Sequence, residues 1–177
     1  VSGTGVAACT VCGQGTYSSV NQTQCLICPG GKISGAGASS CSMCPSGTWA
    51  KGQVACVGCS PGRYGSTEGI GSSDCSGNCS KGSYSLNYAA TCTPCDTGRF
   101  APTPGLDFCE YCPESMTSKR NASGCVAEAG WVVGFAEEEA GALHKCPRGA
   151  TCDEEIGATA ESLRLRPGFW RPTKSTL

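Results

Sequence analysis

Cys44-Pro45-Ser46-Gly47-Thr48-Trp49 is a phrase that this chain writes repeatedly. Copies stand at Cys12-Gly13-Gln14-Gly15-Thr16-Tyr17, Cys28-Pro29-Gly30-Gly31-Lys32-Ile33 and Cys59-Ser60-Pro61-Gly62-Arg63-Tyr64. Two more are Cys79-Ser80-Lys81-Gly82-Ser83-Tyr84 and Cys95-Asp96-Thr97-Gly98-Arg99-Phe100. Each holds a Cys, a Gly three residues on, and an aromatic or β-branched residue five on. After a further stretch comes another Cys, then two residues, then the Cys that opens the next copy. The result is a tandem repeat with a period near sixteen residues, the signature of a chain built from small serial units.

Seventeen of the 177 residues are Cys, a density that marks a disulfide scaffold. Leu, Ile, Val and Phe together number 24, too few to bury an ordinary core at this length. Apolar burial cannot then offset the entropy of ordering the chain. Covalent staples, typically worth ~2–4 kcal/mol each, take its place. The expected fold is small, disulfide-rich and mostly irregular with short β-hairpins: an elongated tandem array of cysteine-rich repeats with little hydrophobic core.

Basic and acidic residues number 13 and 14, for a formal net charge of −1, which gives no electrostatic footprint for nucleic acid. No apolar run is long enough to span a bilayer, so any membrane link is expected through further parts of a longer parent chain. Disulfides at this density require an oxidising compartment, and the expected location is extracellular or at the cell surface. The sequons Asn21-Gln22-Thr23, Asn78-Cys79-Ser80 and Asn121-Ala122-Ser123 agree with that and mark Asn21, Asn78 and Asn121 as acceptors for N-linked glycans. Asn78 is the weakest, because a disulfide at Cys79 competes with the transferase.

Two connectivities fit the cysteines. In one, the second Cys of each pair joins the first of the next: Cys12–Cys25, Cys28–Cys41, Cys44–Cys56, Cys59–Cys75, Cys79–Cys92, Cys95–Cys109, Cys112–Cys125, and finally Cys146–Cys152. Only Cys9 is left over, with its partner expected upstream of Val1. In the other, neighbouring pairs interlock, as Cys9–Cys25 with Cys12–Cys28, and the tail becomes irregular. Spacing alone does not settle connectivity; the first is favoured because it explains the odd total.

Under the first scheme residues 1–125 are hairpin modules, each closed by one disulfide. The Gly three after the opening Cys supplies a positive φ for the turn, and the ring five after it covers a disulfide. Strands of ~5 residues, each spanning roughly 17 Å, are expected. The module opening at Cys59 carries an insertion near 69–73, and its exit pair, Cys75 and Cys79, is spaced by one extra residue, which predicts a bend or register break. Cys112-Pro113-Glu114-Ser115 lacks the turn Gly, and Thr117 replaces the ring, so the array is expected to decay there. Residues 126–177 read as a separate connecting or capping module, with a short helix over 135–144 and a strand before Pro167.

Chemistry is sparse. Chained CxxC pairs also suit zinc ribbons, but even chaining, the sequons and a single histidine, His144, favour disulfides. His144 has no nucleophile or carboxylate constellation around it, and Asp153-Glu154-Glu155 reads as a solvated run. No enzyme and no cofactor are expected.

The repeated Cys-x-x-Cys-Pro-x-Gly-Thr-Tyr/Trp phrase, from Cys9 to Cys125, resembles cysteine-rich repeats of the ephrin-receptor-like type and is similar to EGF-like and tumour-necrosis-factor-receptor-like modules. The tail, Gly149-Ala150-Thr151-Cys152 and then Glu161 to Arg171, resembles a segment that follows such repeats in large surface proteins of algae and other protists. The resemblance implies an extracellular stalk or spacer in a cell-surface or filament-forming glycoprotein, such as a flagellar hair or cell coat, whose partners are other protein chains, copies of itself among them. The competing function is a receptor-type ligand-binding module, with Trp131 and Phe135 and the insertion at 68–73 as its contacts.

Overall fold

A computed structural model describes residues 10–20, 24–134, 142–152, 156–159 and 161–170. Among these residues there is no helix, and the regular structure is nine antiparallel two-stranded hairpins. In chain order they are β1 (Thr16–Tyr17) with β2 (Leu26–Ile27), β3 (Lys32–Ile33) with β4 (Ser42–Met43), and β5 (Thr48–Lys51) with β6 (Ala55–Gly58). There follow β7 (Arg63–Tyr64) with β8 (Gly77–Asn78), β9 (Ser83–Tyr84) with β10 (Thr93–Pro94), and β11 (Arg99–Phe100) with β12 (Glu110–Tyr111). The last three are β13 (Met116–Thr117) with β14 (Val126–Ala127), β15 (Trp131–Val133) with β16 (Leu143–Lys145), and β17 (Ala150–Thr151) with β18 (Arg164–Leu165).

The repeated phrase is a turn. Thr48 N–H donates to the Pro45 carbonyl at 3.1 Å, and the same bond joins Arg63 to Ser60 at 3.0 Å and Arg99 to Asp96 at 3.1 Å. With φ of +79° at Gly47, +80° at Gly62 and +79° at Gly98, this is a type II turn, which needs a left-handed residue in its third place. The glycine carbonyl then accepts the bond that closes the hairpin, from the Cys opening the next module: Cys59 N–H to Gly47 at 2.9 Å, Cys79 to Gly62 at 2.9 Å and Cys112 to Gly98 at 2.9 Å.

The sulfurs pair inside these modules as Cys12–Cys25, Cys28–Cys41, Cys44–Cys56, Cys59–Cys75, Cys79–Cys92, Cys95–Cys109, Cys112–Cys125 and Cys146–Cys152. Cys9 lies outside the described residues. Cα separations run from 5.5 Å at Cys44–Cys56 to 6.0 Å at Cys59–Cys75, ordinary for unstrained bridges. The opening cysteines Cys44, Cys59, Cys79 and Cys95 are fully buried, so sulfur occupies the interior that aliphatic residues fill elsewhere. Tyr84 and Leu106 pack against the cluster of Cys95, Ala101 and Cys109, which places one ring on the disulfide of the following module.

Four local expectations change. Most strands are two residues long rather than about five, because each module has room for only one turn, one pair of rungs and a return loop. The longer spacing at Cys75 and Cys79 causes no register break: Arg63 pairs with Asn78 and Tyr64 with Gly77, and Cys75 at φ +54° and Gly77 at φ +127° absorb the extra residue. Ser115 does not end the array; it takes φ +61° and accepts from Glu128 N–H at 3.0 Å as the glycines do. Leu143 and His144 lie in β16, not in a helix, because Val133 pairs with Leu143 in the same register that pairs Ala50 with Cys56; residues 135–141 lie outside the described part.

Hydrogen bonds also tie each module to its neighbour. The turn residue donates to the carbonyl six residues past the next opening: Gly47 N–H to Gly65 at 2.8 Å, Gly82 to Ala101 at 2.9 Å and Gly130 to Cys152 at 2.8 Å. A loop N–H returns to the opening Cys carbonyl, as Gly69 to Cys44 at 2.8 Å and Asn121 to Cys95 at 2.8 Å. Three serines lock the seam by their hydroxyls: Ser34 Oγ donates to Thr16 O at 2.8 Å, Ser85 Oγ to Arg63 O at 2.8 Å and Ser118 Oγ to Arg99 O at 2.6 Å. All three serines are buried, so these bonds satisfy groups that would otherwise be costly.

Packing divides the chain into two compact units, one of Val1–Cys79 with Ser85–Cys92 and one of Ser80–Tyr84 with Thr93–Leu177. The second holds a small apolar cluster of Val132, Ala150, Cys152, Ala158 and Leu163.

The turn glycines are not equivalent. A Cβ on Gly47 would lie 2.2 Å from the Tyr88 carbonyl oxygen, whereas one on Gly98 meets nothing within 4 Å among the described residues. In urea unfolding, Gly98→Ala should lose about 1–2 kcal/mol from the left-handed φ alone, and Gly47→Ala should lose clearly more, because backbone must also move. Equal losses would contradict this packing.

Candidate functional site

His144 sits on β16 opposite Val132, with its ring over Gly134: a Cβ there would be 2.9 Å from Nε2. Asp153, Glu154 and Glu155 lie outside the described residues. Among the described residues no three His, Cys, Asp or Glu side chains are grouped to hold a metal ion.

The glycan acceptors separate by setting. Asn78 ends β8 as an exposed residue opposite Arg63, immediately before the fully buried Cys79. Asn121 is exposed on a loop at φ +64°, its N–H donating to Cys95 O. Its backbone carbonyl lies against Gly82, where a Cβ would be 2.2 Å from that oxygen. Asn tolerates this left-handed conformation better than other side chains, so Asn121 has a structural role whether or not it carries sugar. Asn21 lies outside the described residues.

Of the two apolar residues expected to meet a partner, Phe135 lies outside the described residues and Trp131 is half-buried on β15, paired with Lys145. The insertion at 68–73 packs back on its own unit: a Cβ on Gly31 would fall 1.7 Å from Gly69 O. Glu68 at its tip stays exposed.

Exposed apolar side chains stand instead on the residue just before an opening Cys. Ile27 faces Thr16, Met43 faces Lys32 and Tyr111 faces Arg99 across their hairpins. Tyr111 is 71% exposed, and the Arg99 guanidinium lies 3.9 Å from its ring centroid, with Arg99 Nη2 donating to the Tyr111 hydroxyl. The signal was present in the sequence: in a two-residue strand before a buried Cys, side-chain alternation turns the last residue outward. A second exposed pair, Phe169 and Trp170, follows the last hairpin beside a hollow of about 360 Å³ lined by Cys146, Arg148, Gly149 and Arg166.

Trp131 and Tyr111 should behave differently on truncation. Trp131→Ala should cost roughly half of the ~3–5 kcal/mol typical of a fully buried Trp. Tyr111→Ala should cost under about 1 kcal/mol, the worth of an exposed cation–π pair. Denaturant midpoints measure both, and a neutral Trp131→Ala would remove it from the packing.

No protein-family model matches the chain. Among curated proteins it is 30% identical over 104 residues to the mouse Sushi, von Willebrand factor type A, EGF and pentraxin domain-containing protein 1, a stretch that is 55% of this chain and 3% of that protein. The rat protein of the same name matches to the same extent. The zebrafish Signal peptide, CUB and EGF-like domain-containing protein 2 is 35% identical over 77 residues, 41% of this chain and 8% of that protein. The chain thus matches only a small part of each relative. All three are multidomain proteins named for EGF domains, and the disulfide-rich hairpins described above are consistent with cysteine-rich modules of that kind.

Proposed function

We propose that the chain is a structural spacer of a larger extracellular glycoprotein, built of ephrin-receptor-like modules and not catalytic. The observation that carries the reading is the seam: backbone and serine bonds recur from one module to the next, as at Gly47–Gly65 and Ser118–Arg99. Such nearest-neighbour bonding makes stability additive along an array and lets it be lengthened without redesign. The density of disulfides and the EGF-domain relatives support an extracellular or cell-surface place. Partners on this reading are other protein chains, copies of itself included. Small-angle scattering on the purified chain should give the skewed, long-tailed distance distribution of a spacer. A symmetric distribution of globular radius would overturn it.

A receptor-type module is the second reading, favoured by the exposed Arg99–Tyr111 stack with Phe108, 58% exposed, nearby in sequence. Trp131, with only part of its ring available, and Phe135 are the further contacts on that reading.

Secretion from a eukaryotic cell should add N-glycan at Asn121 and much less at Asn78, whose sequon runs through the bonded Cys79. Enzymatic deglycosylation in heavy-oxygen water, followed by peptide mass spectrometry, reads this directly. Unmodified Asn121 would remove the glycan from the proposal.

A further inference from the structure

We infer that Cys146–Cys152 is a redox-addressable disulfide, one that small dithiols open and their cyclic disulfides re-form while the other seven described bridges stay closed. Those seven each tie together the two ends of a module, across sequence separations of 12 to 16 residues. Cys146–Cys152 spans 6 and lies wholly before the return strand β18. The pairing Ala150 with Leu165 and Thr151 with Arg164 sets Leu163 opposite Cys152, in the place where the third module has the exit cysteine Cys56 opposite Ala50. Leu163 is buried with Val132, Ala150, Cys152 and Ala158, and Arg166 N–H closes the hairpin on Gly149 O at 2.7 Å. This hairpin is therefore held shut by an apolar contact and a backbone bond, and breaking the sulfur bridge leaves both in place.

Access points the same way. Cys152 is 1% exposed and closed to attack, but Cys146 lines the open hollow with Arg148 and Arg166. An attacking thiolate is anionic, and the transition state of exchange spreads negative charge over three sulfurs. Positive charge from the lining residues Arg148 and Arg166 favours both. A thiolate of an external dithiol attacks Cys146 Sγ, the Sγ–Sγ bond breaks, and Cys152 leaves as a thiolate that takes a proton from water. The reagent's second thiol then attacks its own sulfur in the mixed disulfide and releases Cys146 as the thiol. The protein gains two electrons and two protons, and the reagent becomes its cyclic disulfide. The turn so loosened is the one on which Phe169 rests: a Cβ on Gly149 would lie 2.2 Å from Phe169 Cδ1. Reduction thereby loosens the seat of the exposed Phe169–Trp170 pair.

The native chain is treated with graded dithiothreitol, quenched in acid and alkylated, and its cysteines are mapped by mass spectrometry. Cys146 and Cys152 should label together before any other pair, with the far-ultraviolet dichroism unchanged. Arg148→Ala should slow that labelling about threefold to tenfold, as loss of one nearby charge does, with the urea midpoint unmoved. Prior opening of another pair, Cys12–Cys25 with its exposed Cys25 above all, or simultaneous opening of all eight, would overturn the inference. An unchanged rate in Arg148→Ala would overturn its electrostatic part.

Discussion

The close approach of one loop to a glycine two modules earlier sets most of what this chain can be. The loop carbonyls of Gly69, Tyr88 and Asn121 sit where a Cβ on Gly31, Gly47 and Gly82 would be. The same glycines hold the left-handed place of the turn, so a single missing methyl group satisfies a conformational and a packing demand together. A Cβ on Gly98 meets nothing within 4 Å among the described residues, and at the next opening Ser115 carries the same positive φ with a side chain.

Crosslinks and hydrogen bonds divide the work between them. Every described disulfide lies within one module, so sulfur restricts the unfolded chain locally and closes short loops. Continuity from module to module falls to the backbone and to Ser34, Ser85 and Ser118. A bridge between modules would fix their spacing covalently; the hydrogen-bonded seam fixes it by orientation and leaves each hairpin free to vary in loop length. The insertion after Tyr64 illustrates the tolerance, since Cys79 still donates to Gly62 at 2.9 Å.

The repeat, the turn and the hairpin class were legible because they depend on residues at fixed offsets: Cys, then Gly, then a ring. The positive φ at Gly47 follows from the spacing of Cys44-Pro45-Ser46-Gly47 alone. The loop contacts were not legible, because Tyr88 and Asn121 carry φ of +63° and +64° without being glycine, and no local rule announces them. Ser115 misled for the same reason: a positive φ is preferred for glycine but not reserved to it. The apparent helix over 135–144 rested on composition, whereas the strand at Leu143–Lys145 answers to its partner Trp131–Val133, a non-local cause. For the candidate surface, Trp131 drew notice by size, yet exposure is set by strand alternation, which turns Tyr111 outward.

The end of the described chain carries the hairpin logic past the point where cysteines thin out. Ala127, three residues before the turn Gly130, is fully buried, and Leu143 stands opposite Val133 in the place of an exit Cys. Gly130, at φ +84°, still accepts the closing bond from Cys146 at 2.8 Å. Val132 and Leu163 supply buried apolar surface beneath these last hairpins, where sulfur supplied it upstream. What the array requires is therefore a filled interior beneath each turn. Oxidised cysteine is the commoner filling because, in a module of about sixteen residues, it also shortens the unfolded chain, which an aliphatic pair cannot do.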